Sequence, residues 1–414
     1  MYTNYTLRFR KVNVTQDLGY PRSFLLEVDF TSYPIYPIRN AIVLLTNQCN
    51  LTCPYCFEER GTSRMSLDTA KDVLKFLHLS KSTGIGYTFF GGEPMLEWDS
   101  IIYPLIEWSK VEYPTKFNMT TNGTLFTEDR LNYLFKNNVS FLLSMDGSKE
   151  TQDKNRPMKT PKSSYDAIVK YIPQILKFRP GQTVRMTVNS KSCGHFFEDV
   201  LSLIKLGFVN ISAVPNVFET WEDNEKQAFE ESLNRYEEYV ISGFRNGSNP
   251  ILFFGYREAY HKIRQTIRSE KNGAYRRVAE CIKEKQCGFG VRGSASIDPD
   301  GNLYGCHHIA PLQREGPFWI GDIYTGLNED RVRALIDPYN PGKVGGDKCT
   351  TCPIDWVCNG GCKPNNYQIF GDMHKVPELF CYWEQTIVES AYRIARRLGM
   401  EKNEAFRLVF QHSI

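Results

Sequence analysis

The stretch that decides the fold runs Thr46-Asn-Gln-Cys49-Asn-Leu-Thr-Cys53-Pro-Tyr-Cys56-Phe57. It follows the apolar, β-branched run Ala41–Leu45, which we predict to be a first strand. A loop of this length can bring three thiolates to one metal centre. A four-iron cluster bound by only three cysteines keeps one iron open to a ligand. A zinc site that lacks one ligand, or a set of buried thiols, is the alternative.

The N-terminal half then alternates short β-branched or aromatic runs with amphipathic stretches, a pattern typical of β/α units around a parallel sheet. We predict an α/β fold with a partial (β/α)6 TIM-like barrel, because six units are too few to close an eight-unit barrel. The predicted strands are Ala41–Leu45, Tyr87–Phe90, Lys116–Thr120, Ser140–Met145, Thr183–Val188 and Val209–Ala213. The predicted helices are Leu67–Leu79 behind a Ser66 N-cap, Ile101–Ser109, Glu128–Lys136, Ser164–Phe178 and Phe197–Leu206.

Polar, glycine-containing turns follow three of the predicted strands, at the edge where a parallel α/β sheet places its ligand site. They read Gly91-Gly92-Glu93-Pro94, Thr121-Asn122-Gly123-Thr124 and Ser144-Met145-Asp146-Gly147. Glycine lets the backbone approach a ligand closely, and the Glu93 carboxylate can accept from an ammonium group. Each turn alone is an ordinary turn signal, but their order at one rim indicates a binding site.

The CxxxCxxC spacing after a first strand, followed by an aromatic residue, resembles the radical SAM superfamily. In that family the open iron chelates S-adenosylmethionine (SAM), and reduction yields a 5′-deoxyadenosyl radical. The resemblance implies a 4Fe–4S cluster on Cys49, Cys53 and Cys56. It also implies that Glu93 binds the methionine amino group, that Ser144 contacts the ribose or a carboxylate, and that Arg185 contacts the methionine carboxylate. The implied cofactor contacts are Tyr55, Gly91, Gly92, Glu93, Pro94, Asn122, Ser144 and Arg185.

A charged segment after the fourth strand, Asp153-Lys-Asn-Arg156-Pro, is similar to a loop of peptide-modifying members of the family. A surface salt bridge is the alternative for Asp153 and Arg156. The isolated Cys193 is predicted to be a bystander thiol.

Eight further cysteines towards the C-terminus could complete two four-cysteine sites. Residue types alone leave two zinc sites and two iron–sulfur clusters equally open. Their order resembles the SPASM domain of peptide-modifying radical SAM enzymes, which implies two auxiliary 4Fe–4S clusters. The implied ligands are Cys281, Cys287, Cys306 and Cys362 for one cluster and Cys349, Cys352, Cys358 and Cys381 for the other.

The resemblance predicts an enzyme that uses SAM and three clusters to abstract hydrogen from a ribosomal peptide and form a thioether or carbon–carbon crosslink. Sulfatase-maturase-like oxidation of a cysteine or serine to formylglycine is the alternative, and a non-catalytic zinc scaffold is the third hypothesis. In sulfatase maturases an aspartate, implied to take the substrate proton, follows the cysteine that matches Cys306. Here His307 and His308 follow it, so His307 is a candidate base, with packing as the other interpretation. A low-potential reductant such as flavodoxin or ferredoxin is the implied second partner.

Composition argues against other classes. The 50 basic and 47 acidic residues are well mixed and give a net charge of +3, so neither a nucleic-acid nor a membrane partner is predicted. The N-terminus lacks a secretory pattern, and twelve cysteines without an export signal suit a cytoplasmic protein. The predicted modules are residues 1–40 as a β extension, 41–230 as the barrel, 231–280 as a helical bridge, 281–385 as the SPASM domain and 386–414 as a helical tail.

Overall fold

The computed structural model describes residues 37–271, 293–309, 316–336 and 348–412, apart from residues 59, 81–83, 249, 350, 356 and 359. Most of the predicted N-terminal β extension and the candidate ligands Cys281 and Cys287 lie outside these residues. In the described parts of the chain, no helix is long and apolar enough to cross a membrane.

The described strands form one ten-stranded sheet. Six of them lie side by side in chain order and pair in parallel, as expected of consecutive β/α units. They are β1 (Asn40–Thr46), β2 (Gly86–Gly91), β3 (Lys116–Thr121), β4 (Ser140–Ser144), β5 (Thr183–Val188) and β6 (Asn210–Pro215). All six predicted strands are present, with ends that shift by at most two residues.

The C-terminal extension continues this sheet on the other side of β1. Strand β7 (Ser294–Ile297) pairs in parallel with β1, and the Ser296 hydroxyl donates to the Ile42 carbonyl oxygen at 3.1 Å. Three short antiparallel strands follow in order outward from β7. They are β8 (Asn302–Tyr304), β9 (Trp319–Asp322) and β10 (Gly326–Leu327). The sheet that the N-terminal half forms therefore also contains strands β7 to β10 of the C-terminal extension.

Helices connect the parallel strands and cover the sheet. Those between β1 and β6 are α1 (Leu67–Leu79), α2 (Tyr103–Glu112), α3 (Glu128–Lys136), α4 (Lys149–Asn155), α5 (Ser164–Val169), α6 (Ile172–Phe178) and α7 (Phe196–Lys205). Those after β6 are α8 (Asp223–Arg245), α9 (Phe254–Lys271), α10 (Glu329–Ile336), α11 (Lys363–Phe370), α12 (Glu378–Met400) and α13 (Glu404–His412).

Two helix predictions show how local sequence acts. Ser66 caps α1 as predicted, because the Thr69 N–H donates to its Oγ at 2.9 Å. The prediction of one helix over Ser164–Phe178 is wrong, because this stretch is divided into α5 and α6. Pro173 lies in the first turn of α6 and has no N–H with which to continue the hydrogen bonds of α5.

Alternation along the strands separates a packed face from an inner face. Val184, Met186 and Val188 of β5 belong to the main hydrophobic core, whereas Arg185 lies between them on the opposite face. On that opposite face, Leu44 of β1 packs with Tyr304, and Phe90 and Trp319 lie against them. The candidate site residues lie on this inner face or just beyond the strand ends.

Candidate active site

The cysteine-rich loop leaves the C-terminal end of β1. The Leu51 N–H donates to the Cys49 sulfur at 3.4 Å, and the Cys56 N–H donates to the Cys53 carbonyl oxygen at 3.3 Å. Short-range contacts of this kind hold the three cysteines on one compact turn at the end of the sheet.

The three thiols of this loop suit a positively charged centre. Burial raises the pKa of Cys49 to about 11 and that of Cys53 to about 12, and it also raises the pKa of Cys56. Thiols must lose their protons to bind iron, and the positive charge of the iron offsets this effect of burial. Three sulfur donors fit a 4Fe–4S cluster with one open iron. The described side chains do not form a ready site for a single metal ion.

Gly91 and Gly92 bring the turn after β2 against the cysteine loop. The Gly92 N–H donates to the Thr46 carbonyl oxygen at 2.8 Å, and the Glu93 N–H donates to the Gln48 carbonyl oxygen at 2.9 Å. A Cβ atom on Gly91 would lie 2.4 Å from the Thr46 oxygen, and one on Gly92 would lie 2.2 Å from the Gln48 oxygen. Neither position has room for a side chain, so both glycines are required by close packing.

Glu93 is a buried carboxylate with protein donors around it. It is 1% exposed and accepts from the Met95 N–H at 3.0 Å, the Thr121 hydroxyl at 2.7 Å and the Asn122 N–H at 2.8 Å. Burial raises its pKa to about 7, although these hydrogen bonds favour the ionised form. An ammonium group nearby would relieve this penalty. The chain then turns away from the site through the 3-10 turn Pro94–Glu97.

Asn122 joins the turn after β3 to the cysteine loop. Its Nδ2 donates to the Asn50 Oδ1 at 3.0 Å and to the Cys49 sulfur at 3.8 Å, while its Oδ1 accepts from the Thr124 N–H at 3.0 Å. The residue predicted as a cofactor contact therefore also supports a candidate cluster ligand.

Ser144 and Arg185 lie opposite each other in neighbouring strands. The Arg185 guanidinium donates to the Ser212 hydroxyl at 3.2 Å and borders a cavity of about 310 Å³ between β4 to β6 and the helices α9 and α12. Glu384 and Trp383 also line this cavity. Its volume is at the lower end of small-molecule sites and suits an amino-acid side chain.

Tyr55 leads to an acidic residue that sequence reasoning did not select. Its hydroxyl donates to the Asp146 Oδ2 at 2.5 Å, and Asp146 is 0% exposed. Asp146 also accepts from the Arg156 Nη2 at 3.0 Å and from the Thr187 N–H at 2.9 Å. A signal was available, because Asp146 lies in the turn directly after the predicted strand Ser140–Met145, but one acidic residue in a glycine turn is also common without function.

The charged segment after β4 is not a surface salt bridge, and that alternative is wrong. Arg156 is only 8% exposed and pairs with Asp146. Asp153 instead accepts from the Ser163 hydroxyl at 2.7 Å and the Tyr165 N–H at 3.0 Å, at the start of α5. The two charges of this segment therefore have separate structural roles.

The four cysteines predicted for one auxiliary cluster come together near the start of α12. Burial raises the pKa of Cys381, and Cys349 and Cys352 raise it further. Burial also raises the pKa of Cys358 to about 12, with a smaller contribution from Cys381. Cys349, Cys352 and Cys358 therefore each lie within electrostatic range of Cys381. Thiols are the donors that both an iron–sulfur cluster and a zinc site use, but the described side chains do not form a ready site for a single metal ion.

The two histidines after Cys306 lie against the cysteine loop. The His308 ring stacks on Phe57 and the His307 ring meets Phe90 edge-on at 4.7 Å between centroids. Burial lowers the pKa of His307 well below its usual value and that of His308 to about 4. Both imidazoles are therefore neutral near pH 7, so a ring nitrogen has a lone pair for a proton, although the lowered pKa also makes each ring a weaker base. Cys362 lies at the N-terminus of α11.

Residues 43–190, which span most of β1 and continue past β5, match the radical SAM superfamily. These residues form a radical SAM domain. Everything after residue 190 is an extension beyond the matched domain. Enzymes of this superfamily bind SAM at a 4Fe–4S cluster, and the sulfur donors, close glycine turn and buried Glu93 fit that requirement.

This radical SAM enzyme is similar to anaerobic sulfatase-maturating enzymes over most of its length. It is 22% identical to the serine-type enzyme of Klebsiella aerogenes, over 76% of each chain. It is 24% identical to the cysteine-type enzyme of Clostridium novyi (strain NT), over 86% of this chain and 97% of the relative.

Solved structures show the same fold. The anSMEcpe enzyme with bound AdoMet and the Cp18Cys peptide superposes with a TM-score of 0.67 at 17% identity, covering 88% of this chain and 99% of that one. Streptococcus suis SuiB bound to its precursor peptide SuiA gives a TM-score of 0.52 at 17% identity, covering 84% and 76%. The predicted α/β architecture around a parallel sheet is confirmed.

Proposed function

We propose that this radical SAM enzyme acts on a ribosomally made peptide or protein and installs a thioether or carbon–carbon crosslink. The cavity beside Arg185 is the observation that carries this proposal, since it offers a side-chain-sized space, charged and aromatic, next to the candidate SAM site. The solved relatives with bound Cp18Cys and SuiA peptides support a polypeptide substrate.

The proposed cofactor site uses the ligands Cys49, Cys53 and Cys56 for a cluster that binds SAM. When bound, such a cluster would supply the electron that splits SAM into methionine and a 5′-deoxyadenosyl radical. Glu93 accepts from the methionine ammonium, Ser144 contacts the ribose or carboxylate, and Arg185 contacts the methionine carboxylate. The remaining proposed contacts are Tyr55, Gly91, Gly92, Pro94 and Asn122.

Two auxiliary 4Fe–4S clusters complete the proposed centre, on Cys281, Cys287, Cys306 and Cys362 and on Cys349, Cys352, Cys358 and Cys381. Full ligation by cysteine favours electron transfer over binding of substrate at iron. Crosslinking removes two hydrogens from the peptide. One leaves as a hydrogen atom to the deoxyadenosyl radical, and the other as a proton and an electron. His307 is the proposed proton acceptor and an auxiliary cluster the proposed electron acceptor.

Formation of formylglycine is the second candidate, because both sulfatase-maturating relatives match most of this chain. The residue after Cys306 argues for the first candidate. In sulfatase maturases that position is implied to carry an aspartate, whereas here it is His307, a buried neutral imidazole.

An anaerobic assay separates the two candidates. The enzyme is incubated with SAM and a reductant, which is dithionite, a flavodoxin or a ferredoxin. The substrate is either the Cp18Cys peptide or a short precursor peptide encoded beside the gene. A crosslink appears in mass spectrometry as loss of two hydrogens without any group that reacts with a hydrazide. Formylglycine reacts with the hydrazide. A Cys49→Ala variant is the control for cluster-dependent chemistry. If SAM is cleaved but neither peptide nor any neighbouring precursor changes, the polypeptide proposal is wrong.

A further inference from the structure

A buried cation lies beside the candidate SAM-cluster loop. Arg156 is 8% exposed, and its Nη2 donates to Asp146 at 3.0 Å. Its Nε is buried and has no hydrogen-bond acceptor among the described residues. A buried N–H without an acceptor is costly, so the position of Arg156 indicates that something outside the described side chains completes it.

The Arg156 charge acts on the cysteine loop. Its guanidinium carbon lies 5.4 Å from the centroid of the Tyr55 ring, and Tyr55 stands between Cys53 and Cys56. The Arg156 guanidinium and the Cys53 thiol also lie within electrostatic range of each other. The ion pair therefore turns its positive end towards the cysteines.

The surroundings fix Arg156 in this position. The Arg156 N–H donates to the Gln152 carbonyl oxygen at 2.8 Å at the end of α4. Asp146 is itself held by the Thr187 N–H and by the Tyr55 hydroxyl. A planar guanidinium in such a frame cannot be replaced by a flexible ammonium without loss of geometry.

We propose that Arg156 is a positioning residue for the SAM-binding cluster: it holds the segment Cys53–Cys56 through Tyr55, and its charge raises the reduction potential of the cluster. Reduction adds an electron, and a nearby positive charge with an available N–H stabilises the reduced state. This inference rests on the proposed assignment of Cys49, Cys53 and Cys56 as cluster ligands.

A redox titration tests the inference in the full-length, cluster-loaded enzyme. The readout is the electron paramagnetic resonance signal that changes when SAM is added, because this change identifies the SAM-binding cluster. For Arg156→Gln we expect the ratio of reduced to oxidised cluster at a fixed potential to fall about tenfold, a shift of about 59 mV for one electron. Arg156→Lys should shift the potential less, because it keeps the charge.

Arg179→Gln is the matched control. Arg179 is also partly buried, lies over the rings of Phe135 and Phe141 and donates to the Val139 carbonyl oxygen, just before β4 begins. It therefore receives the same chemical change at the opposite end of the strands from the cysteine loop. The reduction potential of the SAM-binding cluster in Arg179→Gln should equal that of the wild type.

The outcomes decide separate questions. No SAM-sensitive signal in the wild type overturns the ligand assignment itself. A SAM-sensitive signal with equal potentials for Arg156→Gln and Arg179→Gln overturns the role of Arg156. If Arg156→Gln binds no cluster while Arg156→Lys does, the charge is needed and the inference stands. If both variants lose the cluster and also lose the cooperative unfolding transition that Arg179→Gln keeps, Arg156 serves the fold alone and the inference is wrong.

Discussion

The Phe57 ring stacks on the His308 ring with centroids 4.1 Å apart and planes inclined by 18°. Phe57 immediately follows Cys56, and His308 lies two residues after Cys306. The candidate SAM-cluster loop and the C-terminal extension are therefore in direct contact. Cys306, a proposed ligand of the first auxiliary cluster, lies two residues before His308 in the sequence.

The stacked pair should be energetically coupled. In a double-mutant cycle of Phe57→Ala and His308→Ala, we expect a coupling free energy of about 0.5–1.5 kcal/mol in denaturant unfolding of the metal-free protein. Phe178 is exposed and packs on Phe135 elsewhere, so Phe57→Ala and Phe178→Ala should be additive. Additivity of the Phe57 and His308 changes as well would contradict the observed contact.

Glu93→Gln should weaken SAM binding roughly tenfold to a hundredfold, because a hydrogen bond to a charged group contributes ~1.5–3 kcal/mol. Equilibrium dialysis with SAM measures the affinity, and iron content should not change. Glu97 is a matched control, since this carboxylate is 2% exposed and is engaged by Arg64 at 2.7 Å. If Glu93→Gln and Glu97→Gln lower the SAM affinity equally, Glu93 has no specific role in binding.

The affinity for SAM should depend on pH through Glu93. Burial raises its pKa to about 7, so in the unliganded enzyme the carboxyl is protonated below that value and ionised above it. The SAM ammonium binds the ionised form. Affinity should therefore fall about tenfold per unit as the pH drops well below 7. Isothermal titration calorimetry across this range measures the profile, and Glu93→Gln should flatten it. A wild-type profile that matches the Glu93→Gln profile would exclude this carboxyl as the titrating group.

Gly92→Ala should destabilise the metal-free protein by about 1–3 kcal/mol, as overpacking typically does. The new methyl group would meet the Gln48 carbonyl oxygen at 2.2 Å. Gly399→Ala is the control: it lies in α12 with nothing within 4 Å, and it should stabilise the helix by about 0.5–1 kcal/mol. Chemical denaturation measures both. Unchanged stability in Gly92→Ala would mean that the two turns separate in solution.

Metal analysis should find about twelve irons per chain after anaerobic reconstitution, four for each of three clusters. Cys352→Ala should reduce the iron content by about one cluster and lower stability, because metal binding also contributes folding free energy. Cys193→Ala is the control, since that thiol is buried and donates to the carbonyl oxygens of Ser190 and Glu225. About four irons with two zincs would support the zinc interpretation of the C-terminal cysteines instead.

Local patterns carried most of the fold that could be predicted. Runs such as Thr183–Val188 are both β-branched and bounded by turns, and the strand has these limits in the structure. The division at Pro173 was readable in the sequence, because proline signals a helix start. The pairing of β1 with β7 could not be predicted from the sequence. Ile42 and Ser296 are 254 residues apart, and no local pattern specifies a partner at that distance.

In the candidate site too, local motifs were predictable and contacts between distant segments were not. Glu93 and the two glycines before it form a motif, so their positions were predictable. Asp146 was not selected, because its role depends on Tyr55 and Arg156, which reach it from two other segments. In the sequence, Asp146 and Arg156 are two isolated charged residues, and each of them resembles a surface residue.

The pairing of β1 with β7 also protects this protein from aggregation. Without the downstream strand, the N–H and C=O groups along one side of β1 would be left without partners, and β1 would become an edge strand. Exposed edges of apolar strands recruit other chains, so a protein shortened after β6 should aggregate rather than persist as a separate half. During synthesis the same edge stays uncovered until Ser294–Ile297 has emerged. The cysteine loop at the end of β1 thus acquires its final support only late in folding.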